Sequence, residues 1–214
     1  MNAQNSKVTE KDNKPNKLNL PNQLTLFRIV LVPVYMIFIL LPDYPVFSEA
    51  WSNIFAAALV LIAALTDLLD GFLARKLKLI TDFGKLLDPL ADKVMVMGAM
   101  IAITASSSFG DIRLFAAWAA AVIFFREFAV TSIRLVAKTA DDNVIAANFA
   151  GKLKTFSQVL CIMTILLEKM VLTENLHTPP YLFSYITMGA MILLTVYSGI
   201  VYFKSYWKYI DPAN

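Results

Sequence analysis

The segment 67-DLLDGFLARKLKLITDFGKLLDPLADKV-94 decides how the rest of the chain is read. Asp67 and Asp70 are three residues apart, and Asp88 and Asp92 are four apart. Each spacing places its two carboxylates on one helical face. The short basic connection between the pairs predicts two antiparallel, neighbouring helices whose four carboxylates converge. So many anions in one place repel, and a carboxylate at the centre of a membrane helix costs ~2.5–3.5 kcal/mol. A divalent cation is the simplest remedy. All-carboxylate ligation suits Mg²⁺ or Mn²⁺, and four carboxylates can hold two ions, an arrangement used in phosphoryl chemistry.

Outside this segment the chain is strongly apolar. Of its 214 residues 58% are hydrophobic and only 16% charged, whereas a soluble domain carries about 25% charged residues. Six apolar stretches lie near 24–41, 51–74, 87–105, 112–137, 144–172 and 181–203. Each approaches the ~20 residues that cross a hydrocarbon core as a helix. The expected fold is therefore an all-α integral membrane protein, a bundle of six transmembrane helices spanning 19–208. Residues 1–18 read as a flexible cytoplasmic tail and 209–214 as a C-terminal tail.

Lysines and arginines gather before the first stretch, between the second and third, around the connection of the fourth and fifth, and after the sixth. By the positive-inside rule both termini are cytoplasmic. Trp51 and the Tyr206-Trp207-Tyr209 cluster suit opposite interfaces as aromatic anchors. Asp67 lies about 16 residues beyond Trp51, or ~24 Å along a helix, near the inner edge of the membrane. The net charge of +3 implies no surface for nucleic acid. The single cysteine, Cys161, permits no intrachain disulfide.

Small residues accompany the aspartates. Gly71 and Ala74 share the face of Asp67 and Asp70 and leave room for a group to approach the backbone. Gly84 can do the same from the connection, and Arg75 can grip a phosphate oxygen. The competing explanation is that the aspartates cap helices and pair with lysines. Asp88 before Pro89 does resemble an N-cap with proline at N1.

These residues resemble the signature of the CDP-alcohol phosphotransferase family, D-x2-D-G-x2-A-R-x8-G-x3-D-x3-D. Asp67, Asp70, Gly71, Ala74, Arg75, Gly84, Asp88 and Asp92 fill every fixed position. The resemblance implies a two-metal site facing the cytoplasm in a multi-pass cell-membrane protein, and a homodimer. It also implies CDP-diacylglycerol as donor and CMP as leaving group. Carried over residue by residue, Asp67, Asp70 and Asp88 are metal ligands. Asp92 helps hold the second ion, deprotonates the acceptor hydroxyl, or does both. Asn22 and Thr25 approach the nucleotide together with the glycines, Ala74 and Arg75. The alternative for the opening segment is that Asn22 caps the helix and Arg28 snorkels to the lipid headgroups.

The acceptor is read from other residues. Arg126 sits deep in an apolar stretch and must face the interior or a polar cavity. With Arg134 and Lys152 it forms a candidate pocket for a phosphorylated alcohol. A structural pair of Arg126 with Glu127, and interfacial roles for Arg134 and Lys154, are the alternatives. The segments REFAVTSIRLVA, VIAANFAGKLKT and NLPNQLTLFR resemble the phosphatidylglycerophosphate synthase branch of the family, which implies sn-glycerol 3-phosphate as acceptor. Ser132-Ile133 and Asp141-Asp142 depart from that branch. The same chemistry with serine, inositol phosphate or phosphatidylglycerol stays open. An ion transporter using the same carboxylates is a reading of another class. His177 reads as an ordinary residue of an outer connection.

Overall fold

The computed structural model describes residues 20–44, 48–77, 82–140, 149–171 and 179–207. Among them are six long helices and no strand: α1 (Leu20–Leu40), α2 (Glu49–Leu77), α3 (Asp82–Ala105), α4 (Ile112–Ala140), α5 (Phe149–Val171) and α6 (Leu182–Tyr206). The tails read at 1–18 and 209–214 lie outside the described residues, as do Asp141, Asp142, His177 and Tyr209.

Among the described residues four helices are long and apolar enough to cross a membrane, at Leu20–Asp43, Glu49–Phe72, Ile112–Leu135 and Leu182–Tyr206. They make the chain a membrane protein. Charge keeps α3 and α5 out of that group. Asp82, Lys85, Asp88, Asp92 and Lys93 crowd the first half of α3, and Lys152, Lys154, Glu168 and Lys169 punctuate α5. Leu114, Trp118, Phe125 and Leu193 are largely exposed on the outside of the bundle, where an apolar solvent suits them.

The helices form a closed ring. α1 packs against α2 and α3, α2 against α5, α5 against α6, α6 against α4, and α4 against α3. This corrects one expectation. α2 and α3 are not close neighbours; they touch only slightly, and α1 lies between them. The connection is also shorter than the sequence suggested, because α2 runs to Leu77 and α3 begins at Asp82. Pro89 is consequently inside α3. Asp88 is not an N-cap, and the backbone gives up one helical hydrogen bond at Pro89.

The end of the ring away from the aspartates is tied by polar contacts. Asp43 accepts hydrogen bonds from the backbone N–H (2.9 Å) and hydroxyl (2.5 Å) of Ser107. Lys169 donates to Glu49 at 2.6 Å. The residue before α6, Tyr181, has a left-handed backbone and offers no side-chain cap. Glu168 of α5 caps α6 instead, accepting from the N–H groups of Phe183 (2.8 Å) and Ser184 (2.6 Å). It thereby satisfies orphan donors of that helix start. Trp51 is exposed at this end and Trp207 at the other, as interfacial anchors require. Tyr206 is buried instead, its ring stacked parallel to that of Tyr202, so the aromatic cluster is partly core.

The seam between α1 and α3 is closely packed. Tyr35 donates to the Met95 carbonyl at 2.5 Å. A Cβ at Gly98 would fall 2.6 Å from Val32 Cγ1 and 3.2 Å from Met36 Sδ. Val32 is β-branched and cannot easily turn away. Gly98→Ala should therefore lower stability by about 1–3 kcal/mol through overpacking, read as a fall in the thermal midpoint of the purified protein in detergent. Val32→Ala in the same background should recover part of the loss.

Candidate functional site

The four aspartates gather at one end of the ring, and α1 joins them. Arg28, one turn beyond Thr25 on α1, is 0% exposed. Its guanidinium donates to Asp67 Oδ1 at 2.5 Å and, through its other terminal nitrogen, to Asp70 Oδ2. Thr25 Oγ1 lies 2.9 Å from Asp88 Oδ1, 3.4 Å from Asp70 Oδ2 and 3.1 Å from the Pro21 carbonyl. One helix thus binds Asp67 and Asp70 of α2 and Asp88 of α3. Asn22 is buried one turn before Thr25.

The carboxylates are not equivalent. The Asp70 side chain is 7% exposed and that of Asp67 is 35% exposed. Asp88 is open to the surroundings despite its bond to Thr25. Asp92 is half-buried, and its Oδ1 is enclosed with no hydrogen-bond partner. A Cβ at Gly71 would meet nothing within 4 Å, so packing within the chain does not demand glycine there. The space beside it is available to a ligand. Gly84 is buried in the first turn of α3. Ala74 and Arg75 belong to α2, but their side chains lie outside the described residues.

The donor set suits a hard divalent cation: the carboxylate oxygens of Asp67, Asp70 and Asp88 are in excess of their one guanidinium. As the side chains stand, no group of three acidic, histidine or cysteine residues among the described residues is tight enough to ligate one ion. Arg28 and Thr25 hold the oxygens that such an ion would take.

A second cluster lies beside the first. Arg126 of α4 donates to Glu127 Oε1 at 2.8 Å and to Ser198 Oγ of α6 at 2.5 Å. The structural pair weighed from the sequence is therefore present. Lys154 of α5, only 4% exposed, also donates to Glu127 Oε1. It is a buried charge and not an interfacial one. Arg126 and Arg134 approach the same aromatic ring, their guanidinium carbons 5.5 and 5.3 Å from the Tyr202 ring centroid, within cation–π range. The Arg134 side chain is exposed, and the Lys152 side chain lies outside the described residues.

Sequence reasoning missed four contributors: Arg28 as the internal counter-charge, Glu127 as the acceptor shared by two cations, Ser198, and the Tyr202 platform. A signal for Arg28 existed. An arginine inside an apolar helix, three residues after Thr25, needs an anion, and the headgroup alternative cannot satisfy a side chain that is fully buried. Ser198 and Tyr202 had no signal, because their partners are some seventy residues away.

Comparison with known proteins identifies the family. Residues 18–201 match the family of CDP-alcohol phosphatidyltransferases. The chain is 39% identical over 202 residues to a CDP-diacylglycerol–glycerol-3-phosphate 3-phosphatidyltransferase of Bacillus subtilis, covering 92% of this chain and 99% of that one. It is 35% identical to a protein of the same name from Wigglesworthia glossinidia brevipalpis, covering 92% and 96%. A probable phosphatidylglycerophosphate synthase of Mycobacterium tuberculosis is 36% identical, covering 86% and 79%.

The burial of Arg28 carries its own test. Arg28→Leu leaves Asp67 and Asp70 without their shared counter-charge. The loss should be about 3–5 kcal/mol, as for a broken buried ion pair. Arg28→Lys, with one point charge in place of a fork, should lose less. The order of thermal midpoints in detergent, wild type above lysine above leucine, checks this.

Proposed function

The chain belongs to the CDP-alcohol phosphatidyltransferase family, and from that premise we propose that it transfers the phosphatidyl group of CDP-diacylglycerol to sn-glycerol 3-phosphate, giving phosphatidylglycerophosphate and CMP. The acceptor is supported by the relatives that carry the name of this reaction. The single observation behind the site is the gathering of three signature aspartates, Asp67, Asp70 and Asp88, around Thr25 and Arg28 of α1.

In this reading the acceptor hydroxyl oxygen forms a bond to the lipid-linked phosphorus. The bond from that phosphorus to the bridging oxygen breaks, CMP leaves with that oxygen, and the hydroxyl proton passes to Asp92. The family generally uses divalent metal ions. Mg²⁺ or Mn²⁺, two ions when bound to Asp67, Asp70, Asp88 and Asp92, supply charge neutralisation for the diphosphate. Asn22, Thr25, Ala74, Arg75, Gly84 and the open space beside Gly71 receive the cytidine diphosphate. Arg28 already neutralises Asp67 and Asp70 and keeps α1 against the site.

Arg126, Arg134 and Lys152 take the acceptor phosphate. The approach of both guanidiniums to the Tyr202 ring supports this, since it makes the region cationic and attractive to an anion. Arg126 keeps Glu127 as its resting partner. α3 and α5 complete a six-span bundle in the cell membrane. Their charged ends lie at the cytoplasmic boundary, where lipid chains and a nucleotide can reach one site. Both termini are then cytoplasmic, and the protein works as a homodimer.

Purified protein in mixed micelles should release CMP only when CDP-diacylglycerol, glycerol 3-phosphate and Mg²⁺ or Mn²⁺ are all present. Turnover that persists in EDTA would eliminate the metal-assisted mechanism. Asp88→Asn should abolish turnover without lowering the yield of folded protein. In a panel of acceptors, serine succeeding where glycerol 3-phosphate fails would redirect the acceptor assignment while keeping the chemistry. Arg134→Ala should raise the KM for glycerol 3-phosphate about tenfold or more and leave that for the CDP-lipid unchanged, consistent with loss of a charge-assisted contact of roughly 1.5–3 kcal/mol.

A further inference from the structure

We propose that Gln158 is a positioning residue that holds Asp92 through a single buried water. Gln158 lies one helical turn after Lys154 on α5, so the two share a face. It is 1% exposed, and its Nε2 has no hydrogen-bond partner. Asp92 Oδ1 is likewise enclosed and unpartnered. One is a donor without an acceptor and the other an acceptor without a donor. Both residues line the same small cavity, together with Lys154 and Glu127. Buried polar groups are rarely left unmatched, and the two cations lining the cavity, Lys154 and Lys93, already donate to Glu127 and to the Thr131 hydroxyl.

The size of the cavity fits the remedy. Its volume is about 10 Å³, the least that one ordered water requires. A water there accepts from Gln158 Nε2 and donates to Asp92 Oδ1, with Lys154 and Glu127 completing its surroundings. Such a molecule is nearly as good a bridge as a direct bond. It fixes the Asp92 carboxylate from behind and leaves the other oxygen to face the reacting groups. It also connects Asp92 to the Glu127 junction, where Arg126 is held. The base and the acceptor-phosphate arginine then belong to one bonded framework.

The inference rests on Asp92 as the acceptor of the hydroxyl proton, and its test separates the two ideas. Gln158→Leu keeps the side-chain bulk and removes the donor. Gln158→Asn keeps the donor and leaves room for the water. In full-length protein assayed for CMP release, the leucine variant should lose about tenfold in kcat, as when an outer hydrogen-bond partner is removed. KM for both substrates and the thermal midpoint should be unchanged. The asparagine variant should recover much of the loss. A wild-type structure that resolves waters should show one within hydrogen-bond reach of both Gln158 and Asp92. An empty cavity, equal activity of the two variants, or a change in KM alone would overturn the proposal. If the leucine variant does not fold, the wild-type water and the asparagine kinetics still decide it. Wild-type protein that releases no CMP with any acceptor would defeat the transferase reading, while the density would report separately on the water.

Discussion

A guanidinium with no exposure to its surroundings must have its charge answered where it lies, and Arg28 is answered by Asp67 and Asp70. Everything else at this end of the molecule follows from that requirement. An isolated charge in an apolar interior is prohibitively costly, whereas a paired and hydrogen-bonded one is tolerable. α1 is thus bound to α2 through its charge. Thr25, one turn earlier, extends the contact to Asp88 of α3. A helix whose sequence looks like a plain membrane span is the element that assembles the site.

The same demand sorts the charges along the ring. The charged half of α3, the charged start of α5 and the carboxylate end of α2 meet at one end. The opposite end is held by neutral or locally satisfied contacts, such as Asp43 with Ser107 and Glu168 with the first turn of α6. Between them the core is built from alanine, methionine and isoleucine, with Gly98 allowing α1 and α3 to approach. An amphiphilic donor with a water-soluble head and two acyl chains needs such a one-sided arrangement. In the proposed reading, a polar site at the membrane boundary would receive the head while the chains stay in lipid.

Glu127 plays a comparable part in the neighbouring cluster. One carboxylate accepts from Arg126 on its own helix and from Lys154 across the bundle. This answers two cations inside the bundle at tolerable cost and leaves Arg126 and Arg134 beside the Tyr202 ring. In the proposed reading, a phosphate entering this region would meet charges that are already positioned, so less ordering would be needed on binding.

The chain's own sequence determined a good deal. Apolar stretches of spanning length announced the helices, because a lipid solvent leaves the backbone few alternatives. The spacing of Asp67, Asp70, Asp88 and Asp92 announced two carboxylate faces, because helical periodicity is local. Both readings depend on residues near one another in the chain. What lay beyond the sequence depends on distant ones. That α1 separates α2 from α3, that Arg28 pairs inward instead of reaching for lipid, that Asp88 is not a cap, and that Tyr202 underlies Arg126 and Arg134 were decided by packing. Ring order is set by how side chains from remote segments fill shared space, and periodicity along one helix carries no record of which neighbour its face will meet.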